Sequence, residues 1–309
     1  MFVLNKFLKK INQNFIKVIL TLIIIYLILH KVDYNSFLQH IDALNNSFVI
    51  IAFIFLLPAP LLLSLRWFFI IQKIGGKISF IKTIKNMAPA ISIGDLFASG
   101  IPLEVAKFFS LKELSHSLKI QLLIIEKIYA ILIKIFFLIL ITNVINIFYI
   151  KENIAILIIT SICIVLSPIF FLIFTKSFKN IKLINSLYEK INFFIFEKNI
   201  NKKKIISTEL IRNLIISLSY FFIFYSLFDL KTCLLLVVFA NIIETVLRFQ
   251  IFTIGFGFRE FLFTYFSFLI NQNIESQILL ASIVFSFFML IINQLNLICY
   301  LIFGKFLKE

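Results

Sequence analysis

Four pairings of glutamate with a basic residue, each inside or beside strongly apolar sequence, are the groups of this chain best placed to do chemistry. They are Glu104 with Lys107, Glu126 with Lys127, Glu244 with Arg248, and Arg259 with Glu260. A charge at bilayer depth costs roughly 3 kcal/mol on insertion scales, so such residues face a bundle interior and mark a pathway or a binding site. Two of the pairs adjoin backbone breaks: Ser99-Gly100-Ile101-Pro102 precedes Glu104, and Gly255-Phe256-Gly257-Phe258 precedes Arg259. Helix ends exposed by such breaks present N–H groups and a positive dipole end, which can hold an anion inside a membrane. A polar cavity within the membrane, suited to a phosphate headgroup, is the expectation.

Helical spacing sharpens it. At 100° per residue, Lys112, Ser115, Lys119, Glu126, Ala130 and Lys134 share one broad face, with Lys127 at its edge. A second polar stripe has Asn241, Glu244, Thr245 and Arg248 at i, i+3, i+4 and i+7. The competing explanation is that these charges pair as buried ion pairs and hold helices in register without touching a substrate. Other chemistries lack their residues. His30, His40 and His116 are dispersed and offer neither metal-ligand spacing nor a base for Ser99. Asp33 and Asp42, in an outer loop, are the only acidic groups a lipid-linked transferase could use there. No phosphate-binding Gly-Lys-Ser loop exists, so neither ATP nor any other cofactor is expected, and no metal. The chain reads as a transporter rather than an enzyme.

The elements that must position these residues follow from composition. The chain has 309 residues, of which 61% are hydrophobic, and a mean hydropathy of +1.05. That leaves too little polar surface to cover a water-soluble globule of this size. Its net charge of +15 comes from lysines concentrated between apolar runs, where positive charge fixes orientation and meets anionic lipid; it does not point to nucleic acid. Cys163, Cys233 and Cys299 stand singly in apolar runs, without the clustering of a disulfide framework or zinc site. The abundance of Phe, Ile, Asn and Lys matches an AT-rich coding bias, so the few arginines are the more informative cations.

The fold expected is all-α, a polytopic membrane helix bundle forming a single integral membrane domain over 1–309. Apolar runs at 15–29, 48–71, 118–150, 154–175, 208–228, 232–252 and 277–303 supply about six full spans, the first of them short. Pro58 and Pro60 predict a kink in the second run, and Arg66, beside Trp67, is placed to snorkel to the interface. Two re-entrant or broken-helix elements are expected at 87–103 and 255–271, because so many Gly and Pro residues cannot stand in a lipid-exposed span. Lysine-rich short loops put both termini, the 73–85 loop and the basic segment 176–204 on the cytoplasmic side of the cell membrane. Segment 176–204 also has the spacing of an amphipathic surface helix.

The order of motifs resembles a known family. Leu65-Arg66-Trp67, Gly75 with Ser79, Ser99-Gly100-Ile101-Pro102-Leu103-Glu104-Val105-Ala106-Lys107 with Leu111-Lys112, Ile125-Glu126-Lys127, and Gly255-Phe256-Gly257-Phe258-Arg259-Glu260 resemble the lysylphosphatidylglycerol synthase transmembrane-region family of flippase-like integral membrane proteins. Leu103 stands where that family commonly has a Gly, and no Pro precedes Gly255. The resemblance implies a bundle with re-entrant elements that moves lipids between leaflets: anionic or aminoacylated phospholipid, or isoprenoid-linked lipid. It does not imply aminoacyl transfer, since the soluble transferase domain is not in this sequence. Lys107, Lys127 and Arg259 would then engage phosphate, with Glu104, Glu126 and Glu260 orienting them, and Lys134, Glu244 and Arg248 lining the same route. Self-association is compatible with this scheme. The alternative is a non-transporting membrane partner of a lipid- or glycan-modifying enzyme.

Overall fold

A computed structural model describes residues 26, 34–73, 78–96, 107–108, 116–149, 200–248, 259–264 and 274–303. Among the described residues there are eight helices. They are α1 (Tyr34–Asp42), α2 (Asn46–Leu56), α3 (Ala59–Lys73), α4 (Phe80–Leu96), α5 (His116–Tyr149), α6 (Ile200–Tyr225), α7 (Leu230–Arg248) and α8 (Glu275–Phe303). A helical turn at 259–264 lies between the last two.

Three helical stretches are long and apolar enough to cross a membrane: Asn46–Gln72, Lys203–Tyr225 and Glu275–Ile302. They correspond to the apolar runs at 48–71, 208–228 and 277–303. Helix α5 also forms as expected, and among its described residues Tyr129–Val144 is a shorter apolar piece. The runs at 15–29 and 154–175, and most of 176–204, lie outside the described residues; residues 200–204 belong to the first turns of α6.

Local sequence explains where several helices start and stop. Asn45 caps α2, its side chain accepting from the Ser47 backbone N–H at 3.1 Å. The first membrane-length stretch is interrupted at Leu57 and Pro58, so α2 ends at Leu56 and α3 begins at Ala59. This is the interruption the prolines predict: Pro58 and Pro60 have no N–H to give to the carbonyls one turn back, and the Leu57 N–H bonds the Ile54 carbonyl instead. The tight turn between α6 and α7 is closed by Asp229, whose carboxylate accepts from the backbone N–H of Lys231 at 3.0 Å and of Thr232 at 3.3 Å.

Of the expected broken element at 87–103, residues 87–96 form regular helix α4 with Pro89 inside it, so Pro89 does not break the chain there; residues 97–103 lie outside the described set. A proline removes one backbone hydrogen bond, and packing can outweigh that loss. Here α4 is held against α3 and α8. The Ser92 hydroxyl donates to the Asn293 carbonyl of α8 at 2.6 Å and the Gln294 amide donates to the Ser92 carbonyl at 3.2 Å.

Helix α6 is the hub, packing against α2, α3, α5, α7 and α8. Two apolar clusters surround it. One joins Ala52, Leu56, Tyr220, Phe224, Leu236, Ala240, Phe263 and Phe285 from α2, α6, α7, α8 and the 259–264 turn. The other joins Trp67, Ile70, Met87, Tyr129, Ile133 and Ile205 from α3 to α6. Charged groups are embedded in both.

Candidate functional site

Helix α6 carries the groups that link the rest. Glu209, Asn213, Ser217 and Tyr220 recur at i, i+4, i+8 and i+11, which confines them to one side of the helix. All four are buried. From Glu209 to Tyr220 the helix rises about 16 Å, roughly half the thickness of a hydrocarbon core. Three polar nodes are strung along this file.

The first node collects Arg66 from α3, Glu126 from α5, Glu209 and Arg212 from α6, and Lys107. The Arg66 guanidinium bonds Glu209 at 2.6 Å and also pairs with Glu126. Lys107 Nζ donates to the other Glu126 oxygen at 2.9 Å, and Arg212 reaches Glu209 at 3.5 Å. Arg66, Lys107, Glu126 and Glu209 are each at most 5% exposed. Lys107 also lies over the Trp67 ring, 5.6 Å from its centroid.

The second node is neutral apart from one ammonium. Lys134, buried on α5, donates to Asn241 Oδ1 of α7 at 2.7 Å, and the Ser217 hydroxyl donates to the same oxygen at 3.1 Å. Asn241 in turn donates through Nδ2 to the Val237 carbonyl at 2.8 Å, which fixes its amide orientation.

The third node gathers around Glu244 of α7, one turn beyond Asn241. Tyr220 donates to Glu244 at 2.8 Å and Arg259 pairs with it at 3.1 Å. Arg259 also donates to the Ser286 hydroxyl at 3.0 Å, and that hydroxyl donates to Glu260 at 2.6 Å. The Phe285 ring stacks on Tyr220 with centroids 3.8 Å apart and lies 5.3 Å from the Arg259 guanidinium carbon.

The structure therefore joins Lys107, Glu126, Lys134, Glu244, Arg259 and Glu260 through α6. Lys127, one residue from Glu126, is half-buried at the edge of the α5 face, as its spacing predicts. Arg248 ends α7, and its side chain is outside the described set, as is Glu104. Of the expected 255–271 break, only the turn at 259–264 is described. Arg66 overturns its expectation: it does not snorkel to an interface but is buried between Glu126 and Glu209. Sequence reasoning also missed Glu209, Asn213, Ser217, Tyr220 and Ser286. The spacing rule that found the α5 and α7 stripes would have found the α6 residues.

Chemically this is a packed network in which carboxylates meet cations and hydroxyls, which is how charges survive away from water. Among the described residues no three His, Cys, Asp or Glu side chains gather as a metal ion would require. The arrangement can exchange one anion for another on fixed cations, or pass charge along a line of hydroxyls, amides and carboxylates. No protein-family model, no curated protein and no solved structure matches the chain, so the family resemblance stands on the quoted motifs alone.

Proposed function

We propose that the protein is a multi-pass protein of the cell membrane that moves an anionic lipid headgroup between leaflets along the buried polar file. In this reading α5 and α7 cross the membrane beside the three apolar stretches, and the run at 154–175 completes six full spans, the run at 15–29 being short. Lysine-rich loops and both termini face the cytoplasm. Acyl chains stay in the bilayer while the phosphate passes from the Arg66 node toward the Arg259 node. The observation that carries the reading is the α6 file itself: charge and hydrogen-bonding groups extend about 16 Å through otherwise apolar packing. Burying so many ionisable groups is costly even when they are paired, and charges kept at such depth mark a passage or a binding site.

Vesicles reconstituted with the full chain and a fluorescent phosphatidylglycerol test it. Protein-dependent loss of leaflet asymmetry is expected, slowed about tenfold or more when Asn241→Leu interrupts the file. Equal rates with and without protein would reject the proposal.

The close pairing of Glu126, Glu209 and Glu244 favours a second reading, in which the network only braces a membrane partner of a lipid- or glycan-modifying enzyme. That reading predicts that charge-neutral apolar replacement of a pair leaves function intact.

A further inference from the structure

Glu126 makes two separate contacts with cations. One oxygen faces the Arg66 guanidinium and the other faces Lys107 Nζ at 2.9 Å. A phosphate diester carries the same single negative charge and also offers two unesterified oxygens. An arginine fork beside a lysine is the side-chain set that recognises it. We propose that Glu126 is a resident stand-in for phosphate, holding Arg66 and Lys107 in readiness until the phosphate of an incoming headgroup displaces it. The inference deepens the transport reading and rests on it for the source of the phosphate.

Three features support the exchange. Both cations are positioned independently of Glu126: Arg66 is also bonded to Glu209 at 2.6 Å, and Lys107 rests over the Trp67 ring. Displacing the carboxylate therefore leaves the clamp in place. The node also lies near a lysine rim. Lys203 and Lys204 are exposed at the start of α6, Lys82 is exposed on α4, and Lys204 lies over Phe69 of α3 at 5.5 Å. Glu209 is five residues farther along α6 than Lys204, about 8 Å deeper. Such a rim raises the local concentration of anions at the entrance. Finally, one phosphate diester for one carboxylate leaves the charge on Arg66 and Lys107 balanced as before.

The chain's single tryptophan is Trp67, so its emission reports on this node. The purified full chain in detergent is titrated with dioctanoyl phosphatidylglycerol, with dioctanoylglycerol as the phosphate-free control, and with inorganic phosphate. The wild type is expected to give a saturable change with the phospholipid and none with dioctanoylglycerol. Glu126→Gln removes the competing charge and is expected to lower the half-saturating concentration about tenfold, whereas Lys107→Gln raises it about tenfold. Should Glu126→Gln fail to fold, Glu126→Asp keeps the charge but draws it back by one methylene, and a decrease of about threefold is expected.

Unchanged or weaker binding in the Glu126 variants overturns the proposal, as does an equal response to dioctanoylglycerol. Saturation by inorganic phosphate at the same concentration as the lipid supports the phosphate clamp but overturns the lipid as its source. Binding that persists when vesicles show no transport sinks the transport reading and leaves the clamp standing.

Discussion

Arg66 and Glu209 provide the sharpest test of whether the buried charges serve a passage or a brace. Glu209 is fully buried and Arg66 is 5% exposed, and they meet at 2.6 Å. Removing only the carboxylate, with Glu209→Leu, leaves Arg66 paired with Glu126 but strips the counter-charge from its other side in an apolar surround. Breaking a buried pair costs about 3–5 kcal/mol, and the lower end of that range is expected here because Glu126 remains. For a chain of this size that corresponds to a fall in melting temperature on the order of 10 °C. The double replacement Arg66→Met with Glu209→Leu removes both charges together and keeps the volume approximately filled. Glu126 retains Lys107 at 2.9 Å, and Arg212, 16% exposed, is nearer to water. The double variant is expected to melt within about 2 kcal/mol of the wild type, because apolar isosteres commonly replace a buried pair without loss. Its transport should nevertheless fall at least about tenfold, since the guanidinium that handles phosphate has gone. Melting is followed by fluorescence-detected size exclusion, and transport by dithionite quenching in vesicles. A double variant that is both stable and fully active would refute the passage argument and favour the bracing one. A single variant that melts like the wild type would show that the pair is not shielded from water.

Two further outcomes are expected. Asp229 caps α7, and its carboxyl is held below the usual range mainly by the Thr232 side-chain hydrogen bond. A depressed folded pKa means the contribution is complete above the unfolded value near 4 and is lost as pH falls through the folded one. Asp229→Ala should therefore cost about 0.5–1 kcal/mol at neutral pH, and the gap from wild type should close in acid. A gap that widens on acidification would refute the capping role. The Ser282 hydroxyl is buried and has no hydrogen-bond partner among the described residues. Ser282→Ala should leave the melting temperature unchanged or raise it by up to about 1 kcal/mol equivalent, and a clear drop would reveal a partner.

How much of this was legible beforehand depends on whether the determining interaction was local. The runs at 48–71, 208–228 and 277–303 announced themselves because desolvating a long apolar stretch drives helix formation whatever its neighbours are. The interruption at Pro58 was legible for the same reason, since the N–H that a proline lacks would have bonded a carbonyl of its own helix. Pro89 was not. Its cost is local, but what offsets it comes from α3 and α8, including the Ser92 contacts to Asn293 and Gln294. No window around residue 89 contains that information.

The site divides along the same line. Apart from Arg66 and Glu209, which charges are buried could be read from their apolar surroundings, but their partners could not. Adjacent residues on a helix point about 100° apart, so Glu126 and Lys127 could not have paired with each other. Glu126 meets Arg66 and Lys107 instead, and Glu260 meets Ser286. Arg66 was misread because snorkelling assumes a lipid-facing residue at the end of a run. The neighbouring Trp67 is 1% exposed, which puts this turn of α3 inside the bundle and makes a carboxylate partner obligatory. That requirement could have been turned into a search for unassigned acids in apolar sequence. It would have led to Glu209, whose stripe through Asn213, Ser217 and Tyr220 is visible in the sequence. A buried cation thus predicts the existence of its partner more reliably than its position, and helical periodicity narrows the choice to one face.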